Sequence, residues 1–219
     1  EIELCDWSSD VCSSDLENAP TSWADIKDGD YTVALGDING GNAQAAVIAS
    51  AYAFGGDLNN LDPAFDFWTQ LAEDGRINTL DILQQNFETG EIPVGVIWSF
   101  TAIPYKNQIT KYKLQANIPT DGSIMSGYAS VINKYAPHPC AAALAREYIF
   151  SDEGQANLAA AGAIPTRTDV EIPEEIQNAT FKSEDYANAI PMEDTDAYTK
   201  ACETVVERWQ EEITPLLVQ

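Results

Sequence analysis

The sequence predicts an α/β protein, and three observations carry that prediction. Tyr31–Ala53 (YTVALGDINGGNAQAAVIASAYA) opens as a short apolar run, breaks at a glycine-rich loop and resumes as an alanine-rich helix. Ile92–Trp98 (IPVGVIW) is a continuous apolar run, the mark of a strand buried on both faces, as in parallel sheets. Segments with strand character alternate with segments of helical period at lengths that build α/β layers. The 219 residues are 45% hydrophobic and 21% charged, enough apolar mass for a core.

In chain order, Glu17–Asp30 reads as a polar connection with a short amphipathic turn at Trp23–Ile26. Tyr31–Leu35 has the β-branched and aromatic content of a buried strand. Gly36–Gly41 turns the chain into a helix from about Asn42, with Gly55-Gly56 as its stop. Such a junction leaves backbone N–H groups unpaired at the carboxyl end of a strand, where open α/β sheets bind ligands. The glycines serve equally well just to make the turn, with Asn42 capping the helix. Asp62-Pro63 marks an N-cap and first helical position for Pro63–Asp74, which ends at Gly75. Thr79 caps a further helix carrying Leu80, Leu83 and Phe87 and ending at Gly90. Ser99–Asn107 reads as a short helix interrupted by Pro104, and Tyr112–Ile118 and Ile124–Ile132 read as strands. Pro139–Phe150 is a helix, Ser151 caps the next over Asp152–Ala161, and Gly162 stops it before Pro165. Thr168–Asp196 is loop-rich and acidic. The last helix, about Ala197–Ile213, carries Tyr198, Cys202, Val205, Trp209 and Ile213 as one buried stripe.

Glu1–Leu16 (EIELCDWSSDVCSSDL) has neither helical nor strand period. DWSSDVCSSDL resembles the translation of a sequencing-adapter oligonucleotide, so residues 1–16 are read as a non-native segment and set aside from the fold. On that reading the chain starts within a longer gene product. Setting the segment aside removes Cys5 and Cys12 and leaves Cys140 and Cys202.

Charge and motifs narrow the function. The formal charge of −24 makes nucleic acid and anionic membrane surfaces poor partners. No apolar run reaches the ~18 residues of a membrane span. Neither a GxGxxG nor a GxxxxGK pattern is present, so neither a dinucleotide nor a nucleoside triphosphate site is indicated. No GxSxG, HExxH or EF-hand pattern occurs, and His138 stands alone between two prolines. Cys140 and Cys202 have no histidine or cation cluster beside them, so they read as small buried hydrophobes rather than nucleophiles. Neither a metal nor a cofactor is called for.

The order of pieces carries a resemblance. SWADIKDGDYTVALGD, then FETGEIPVGVIWS, then IPTDGSIMSGYASVINKYAPHPCAAALAREYIFSDEGQANLAAAGAIPTR resembles extracellular solute-binding proteins of ABC importers, in the branch of polyamine, ferric-iron, thiamine and phosphonate binders. Ser151–Arg167 is its most specific piece, ending in G-x-I-P-x-R, and Gly90–Trp98 is the second. The resemblance implies a two-lobed periplasmic-binding-protein fold of type 2 character with an incomplete first lobe. In that scheme residues 17–123 form most of lobe 2, 124–168 a returning part of lobe 1, and 169–219 helices that pack back on lobe 2. It also implies a non-enzymatic monomer that hands a small solute to a membrane permease, from the periplasm or as a cell-surface lipoprotein.

Carried over position by position, the family's cleft falls on Asp37, Asn39, Gly40, Gly41 and Asn42 in the first loop, on Trp98 and Ser99 after the apolar strand, and on Ser126 and Tyr128 in the hinge strand. Trp98-Ser99-Phe100 lacks the adjacent tyrosines of iron binders, and Ser126-Gly127-Tyr128 lacks the acid of polyamine binders. An anionic or zwitterionic solute such as a phosphonate or phosphate ester is therefore expected, with an amine next. The competing readings are an enzyme on the same fold using Cys140 or Cys202 and a sensory ligand-binding domain.

Overall fold

The computed structural model describes residues 2–6, 19–110, 114–125 and 127–217. Its main sheet has five strands, β1 (Ile2–Asp6), β2 (Val33–Ala34), β3 (Ile77–Asn78), β4 (Val94–Trp98) and β5 (Gln115–Asn117), in the order β3-β2-β4-β1-β5. β2 runs parallel to β3 and β4, whereas β1 is antiparallel to β4 and β5. A separate parallel pair joins β6 (Ser123–Met125) to β7 (Ala189–Pro191).

Parallel neighbours need helical crossovers, and the first is α2 (Gly41–Ala53), which forms the centre of the molecule. It packs on β4 and β6 and on α3 (Asp62–Glu73) and α9 (Thr195–Arg208). A helix enclosed on all sides should be apolar all round, and Ala43, Ala45, Ala46, Val47, Ile48, Ala49 and Ala51 are buried. Its small side chains let the neighbours approach. Ser50 is the polar exception: its Oγ donates to the Val47 carbonyl at 2.7 Å and accepts from the buried Trp68 indole at 3.0 Å. Trp68 then meets Trp209 and Trp23 edge-on, at 5.5 and 6.2 Å between ring centroids.

The short amphipathic turn expected at Trp23–Ile26 is a helix, α1 (Trp23–Asp28), with Ser22 Oγ accepting from Asp25 N–H at 3.0 Å. The Asp25 carboxylate in turn accepts from the Thr21 N–H and hydroxyl, both at 2.9 Å. Two further N–H groups of the first turn, of Trp23 and Ala24, donate to the Asp121 carboxylate at 3.0 Å. Arg76 holds the other end, with guanidinium bonds to the Ile26, Lys27 and Tyr31 carbonyls.

The motif at Ser151–Arg167 is a structural knot. Ser151 Oγ caps α7 (Asp152–Ala160) by accepting from Gly154 N–H at 3.1 Å. Gln155 is fully buried; its amide donates to the Ile149 carbonyl at 2.8 Å and accepts from Arg167 N–H at 3.1 Å. The Arg167 guanidinium closes the loop on the Phe150 carbonyl at 2.9 Å and on Asp152 and Asp169 at 2.8 and 2.7 Å. Gly154 is required because a Cβ there would overlap the Tyr148 carbonyl. By contrast α6 (Pro139–Ile149) buries none of its residues, and Leu144 and Tyr148 on it are exposed.

Several expectations are corrected. The helix expected from Thr79 shrinks to α4 (Gln84–Glu88), and Leu80 and Leu83 are 40% and 54% exposed. Asn78 is the reason: its Oδ1 accepts from Leu80 N–H at 3.0 Å, an Asx turn that competes with helix. Of the strand expected over Ile124–Ile132, β6 takes only Ile124 and Met125; position 126 lies outside the described residues, and 127–132 form no strand. Tyr31–Leu35 contracts to β2. Tyr112–Ile118 contracts to β5, with positions 111–113 outside the described residues. Gly40, not Asn42, is the N-cap of α2, and Leu61, not Asp62, precedes α3. The loop-rich 168–196 stretch holds α8 (Glu174–Ala179), a 3₁₀ turn at Ser183–Tyr186, and β7. The last helix begins at Thr195, capped by Asp194, and its final turn Trp209–Ile213 widens to π spacing. Ile2–Asp6 carries no strand period, yet it forms β1: a slot flanked by two strands offers backbone partners to any extended segment.

Candidate functional site

The glycine loop before α2 is held by its own polar groups. Asp37 accepts from the Asn39 backbone and side-chain amides at 3.0 and 2.9 Å, and the backbone N–H is the chief reason its carboxyl lies below the ordinary value. Gly40 N–H donates to the Asp37 carbonyl at 2.8 Å. The Gln44 amide reaches back to the Ile38 and Asn39 carbonyls at 3.2 and 3.1 Å. Asn42, second in the helix, turns its amide inward and donates to the Leu35 and Val96 carbonyls at 3.2 and 2.7 Å. It thereby ties the end of β2 to the middle of β4, and its Oδ1 is buried without a hydrogen-bond partner among the described residues.

β4 ends at Trp98, and α5 (Ser99–Gln108) starts at once. Helices α2 and α5 therefore both begin at the carboxyl edge of the parallel strands, and neither is capped by the side chain of its cap residue. Their first turns open on one cavity of about 800 Å³. It is lined by Gly41 and Gln44 from α2, by Trp98, Ser99 and Phe100 from the β4–α5 junction, and by Tyr198 and Cys202 from α9. The lining is completed by Gly127–Ser130, Ile149 and Phe150, Gln155 and Leu158 of α7, and the Ala163, Ile164 and Thr166 segment that follows it. Trp98 and Phe100 stack with ring centroids 6.3 Å apart, and Tyr128 stands edge-on to Phe100 at 5.8 Å. Tyr128 is 82% exposed and forms the rim.

Gly41, Trp98, Ser99 and Tyr128 are thus brought together from three separate stretches. Asp37, Asn39, Gly40 and Asn42 shape the loop and do not line the cavity, while Ser126 lies outside the described residues. The sequence reading missed Gln44, Phe100, Leu158, Ile164, Tyr198 and Cys202. Phe100 was within reach, since it continues Trp98-Ser99. Tyr198 and Cys202 stand one turn apart on a helix, and periodicity cannot separate a face that meets core from one that meets a cavity.

None of the described lining residues is Asp, Glu, Lys, Arg or His. Burial pushes the Tyr198 hydroxyl well above its ordinary value and raises the Cys202 thiol too, so both are protonated at neutral pH. Such a site has neutral donors, two helix N-termini and aromatic faces with which to hold a solute. No group of three or more metal-ligating side chains is found among the described residues. A second cavity of about 590 Å³, beside β5 and the segment that follows α8 and lined by Lys106, Asn117, Lys182 and Asn188 among others, contains none of the expected site residues. No helix among the described residues is long and apolar enough to cross a membrane.

A comparison with curated proteins returns no match. Among solved structures, an ABC transporter protein from Clostridium perfringens is 22% identical, with a TM-score of 0.71 over 97% of this chain and 67% of its own. The periplasmic binding protein AfuA from Actinobacillus pleuropneumoniae, with fructose-6-phosphate bound, is 21% identical with a TM-score of 0.69 over 97% and 66%. The spermidine/putrescine substrate-binding protein PotD from Streptococcus pneumoniae is 16% identical with a TM-score of 0.69 over 97% and 67%. This chain therefore has the α/β fold of the periplasmic binding proteins and spans about two thirds of their length. The family model of bacterial extracellular solute-binding proteins matches residues 13–190, most of the sequence, and the chain belongs to that family.

Proposed function

We propose that the chain is the solute-binding component of an ABC importer, which captures a small polar or charged solute in the 800 Å³ cavity and presents it to a membrane permease. One observation carries the proposal. Gly41, Trp98 and Ser99, from the starts of α2 and α5, line the same cavity as Tyr128, Phe150 and Gln155, although they lie far apart in sequence. In this reading residues 17–123 and 169–219 form one lobe and 124–168 belong to the other. Residues 1–16 are foreign to the protein, and the cavity is the seam that closes on the solute. The protein works in the periplasm or anchored at the cell surface, as a monomer without a cofactor, and leaves its solute unchanged.

The first turns of two helices, on a lining whose described residues include neither a carboxylate nor a cation, support an anion or zwitterion, such as a phosphonate or phosphate ester, ahead of an amine. Its negative end would sit at the first turns of α2 and α5, where the helix dipoles favour it, and its body against Trp98 and Phe100.

The test is a thermal-shift screen of phosphonates, phosphate esters, amino acids and amines on the whole chain. A ligand at a hundred times its Kd stabilises by about 2.7 kcal/mol, or roughly 5–11 °C in Tm for a chain of this size. Trp98→Ala should weaken the ligand so found about tenfold, the loss of one aromatic contact worth about 1.4 kcal/mol. A screen without any shift, or a ligand recovered chemically altered, would overturn the proposal.

A further inference from the structure

Arg167 closes the G-x-I-P-x-R motif and does not itself line the solute cavity, yet it grips residues that do. Phe150, Ile164 and Thr166 line the cavity from segments that belong to neither helix nor strand. Ile149, beside them, ends α6, a helix with no buried residue. Packing holds these groups loosely, so side-chain bonds must set their place. The last carbonyls of a helix lack partners within it. Here the buried Gln155 amide donates to the Ile149 carbonyl at 2.8 Å, and Arg167 Nη1 to that of Phe150 at 2.9 Å. Arg167 N–H returns to Gln155 Oε1 at 3.1 Å, which anchors the segment carrying Ile164 and Thr166 to the same pair. The rest of the guanidinium is fixed by carboxylates: Nη1 also meets Asp152 at 2.8 Å, and Nε and Nη2 grip Asp169 in a two-pronged pair at 3.0 and 2.7 Å. Between these anchors Gly162, with φ of +89°, runs against α5: a Cβ there would stand 3.1 Å from Phe100 Cα and Ile103 Cβ. The turn after α7 is thus seated directly on the helix whose first turn opens on the cavity.

We propose that Arg167 is a positioning residue for solute binding: without touching the solute, it holds Phe150 and the Ile164–Thr166 segment where they complete the cavity. The assignment rests on the solute-capture reading above. A guanidinium near an anion site can act as a charge that attracts the anion or as a fork that places other groups. Arg167 is paired with two carboxylates, so its charge is already answered and the fork is what remains. Asp152 and Asp169 are both exposed, and exposed ion pairs add little to global stability. The loss of Arg167 is therefore read in affinity rather than in folding.

The experiment is calorimetric titration of the whole chain well below its Tm, with fructose-6-phosphate, 2-aminoethylphosphonate, 4-aminobutyrate and spermidine as probes. Any probe that binds the wild type is then titrated into the variants. Arg167→Ala should weaken it about tenfold, the scale of loss when the groups supporting a site are loosened. Its Tm should fall by no more than about 4 °C. Arg167→Lys keeps the charge but cannot reach the Phe150 carbonyl and both carboxylates at once, so it should bind as weakly as Arg167→Ala. Asp169→Asn exchanges a charged two-pronged bond for a neutral one and should weaken the probe about threefold; if Arg167→Ala does not fold, this variant decides. Ser50→Ala, which loosens the core and does not line the cavity, should bind as the wild type does. Wild-type affinity in the Arg167 and Asp169 variants would overturn this inference alone. So would full rescue by lysine, which would make Arg167 an attracting charge, or an equal loss in Ser50→Ala, which would make it a general stabiliser. Absence of binding by all four probes and by the wider screen would overturn the solute reading beneath it.

Discussion

Asn42 offers the sharpest check on how the site is built, because one amide joins two strands. Its Nδ2 donates to Leu35 and Val96 carbonyls at 3.2 and 2.7 Å, and its Oδ1 is buried without a partner among the described residues. Asn42→Ala removes two hydrogen bonds of about 1 kcal/mol each and also removes the orphaned oxygen, which offsets part of the loss. The expected net cost is about 1.5 kcal/mol, or a fall in Tm of roughly 3–6 °C. Asn42→Asp keeps the shape and turns the donor into a third acceptor facing two carbonyls. The α2 dipole returns about 0.3–1 kcal/mol to a carboxylate in its first turn, less than the two lost bonds, so this variant should melt below Asn42→Ala at pH 7. The sign of its pH dependence follows. A carboxyl pressed against carbonyls has a folded pKa above its unfolded one, so the deficit grows as pH rises through the folded pKa and is smallest in acid. Thermal melts of the three chains by circular dichroism between pH 3 and 8 decide the matter. An Asn42→Ala variant as stable as the wild type, or an Asn42→Asp variant above it at pH 7, would refute the tie between strands.

Two further outcomes test other joints. Ser50→Ala leaves the buried Trp68 indole N–H without its acceptor, and should cost about 1–3 kcal/mol in urea unfolding with an altered near-ultraviolet signal from the tryptophan cluster. Asp25→Asn should lower Tm at pH 7, because Thr21 N–H chiefly holds the Asp25 carboxyl below its ordinary 3.8. A depressed folded pKa means that this stability is present above the unfolded pKa and lost as pH falls through the folded one. The gap between variant and wild type should therefore close below pH 3.8, and a gap of constant size in acid would contradict the assignment.

Chain chemistry settled a good deal before any tertiary contact was considered. The alternation of apolar runs and helical stripes is enough for α/β layers. Helix stops at Gly55 and Gly162 take the positive φ that only a residue without Cβ adopts cheaply, and the cap at Ser151 is a local bond within four residues. Trp98 and Ser99 were expected at the cleft from the family resemblance, and both line the cavity where β4 ends and α5 begins. What the sequence could not supply were bonds whose partners are remote. Asn42 reads as a helix cap or a ligand contact until β4 is placed beside it; then its amide is seen to be spent on Val96, 54 residues away. Tyr198 and Cys202 carry the period of a core stripe, and only the packing of α9 across α2 turns that stripe toward the opening. Local spacing decides which groups lie on one face of an element. Tertiary packing decides what that face meets, because a solute cavity and a hydrophobic core impose the same pattern on the helix that borders them.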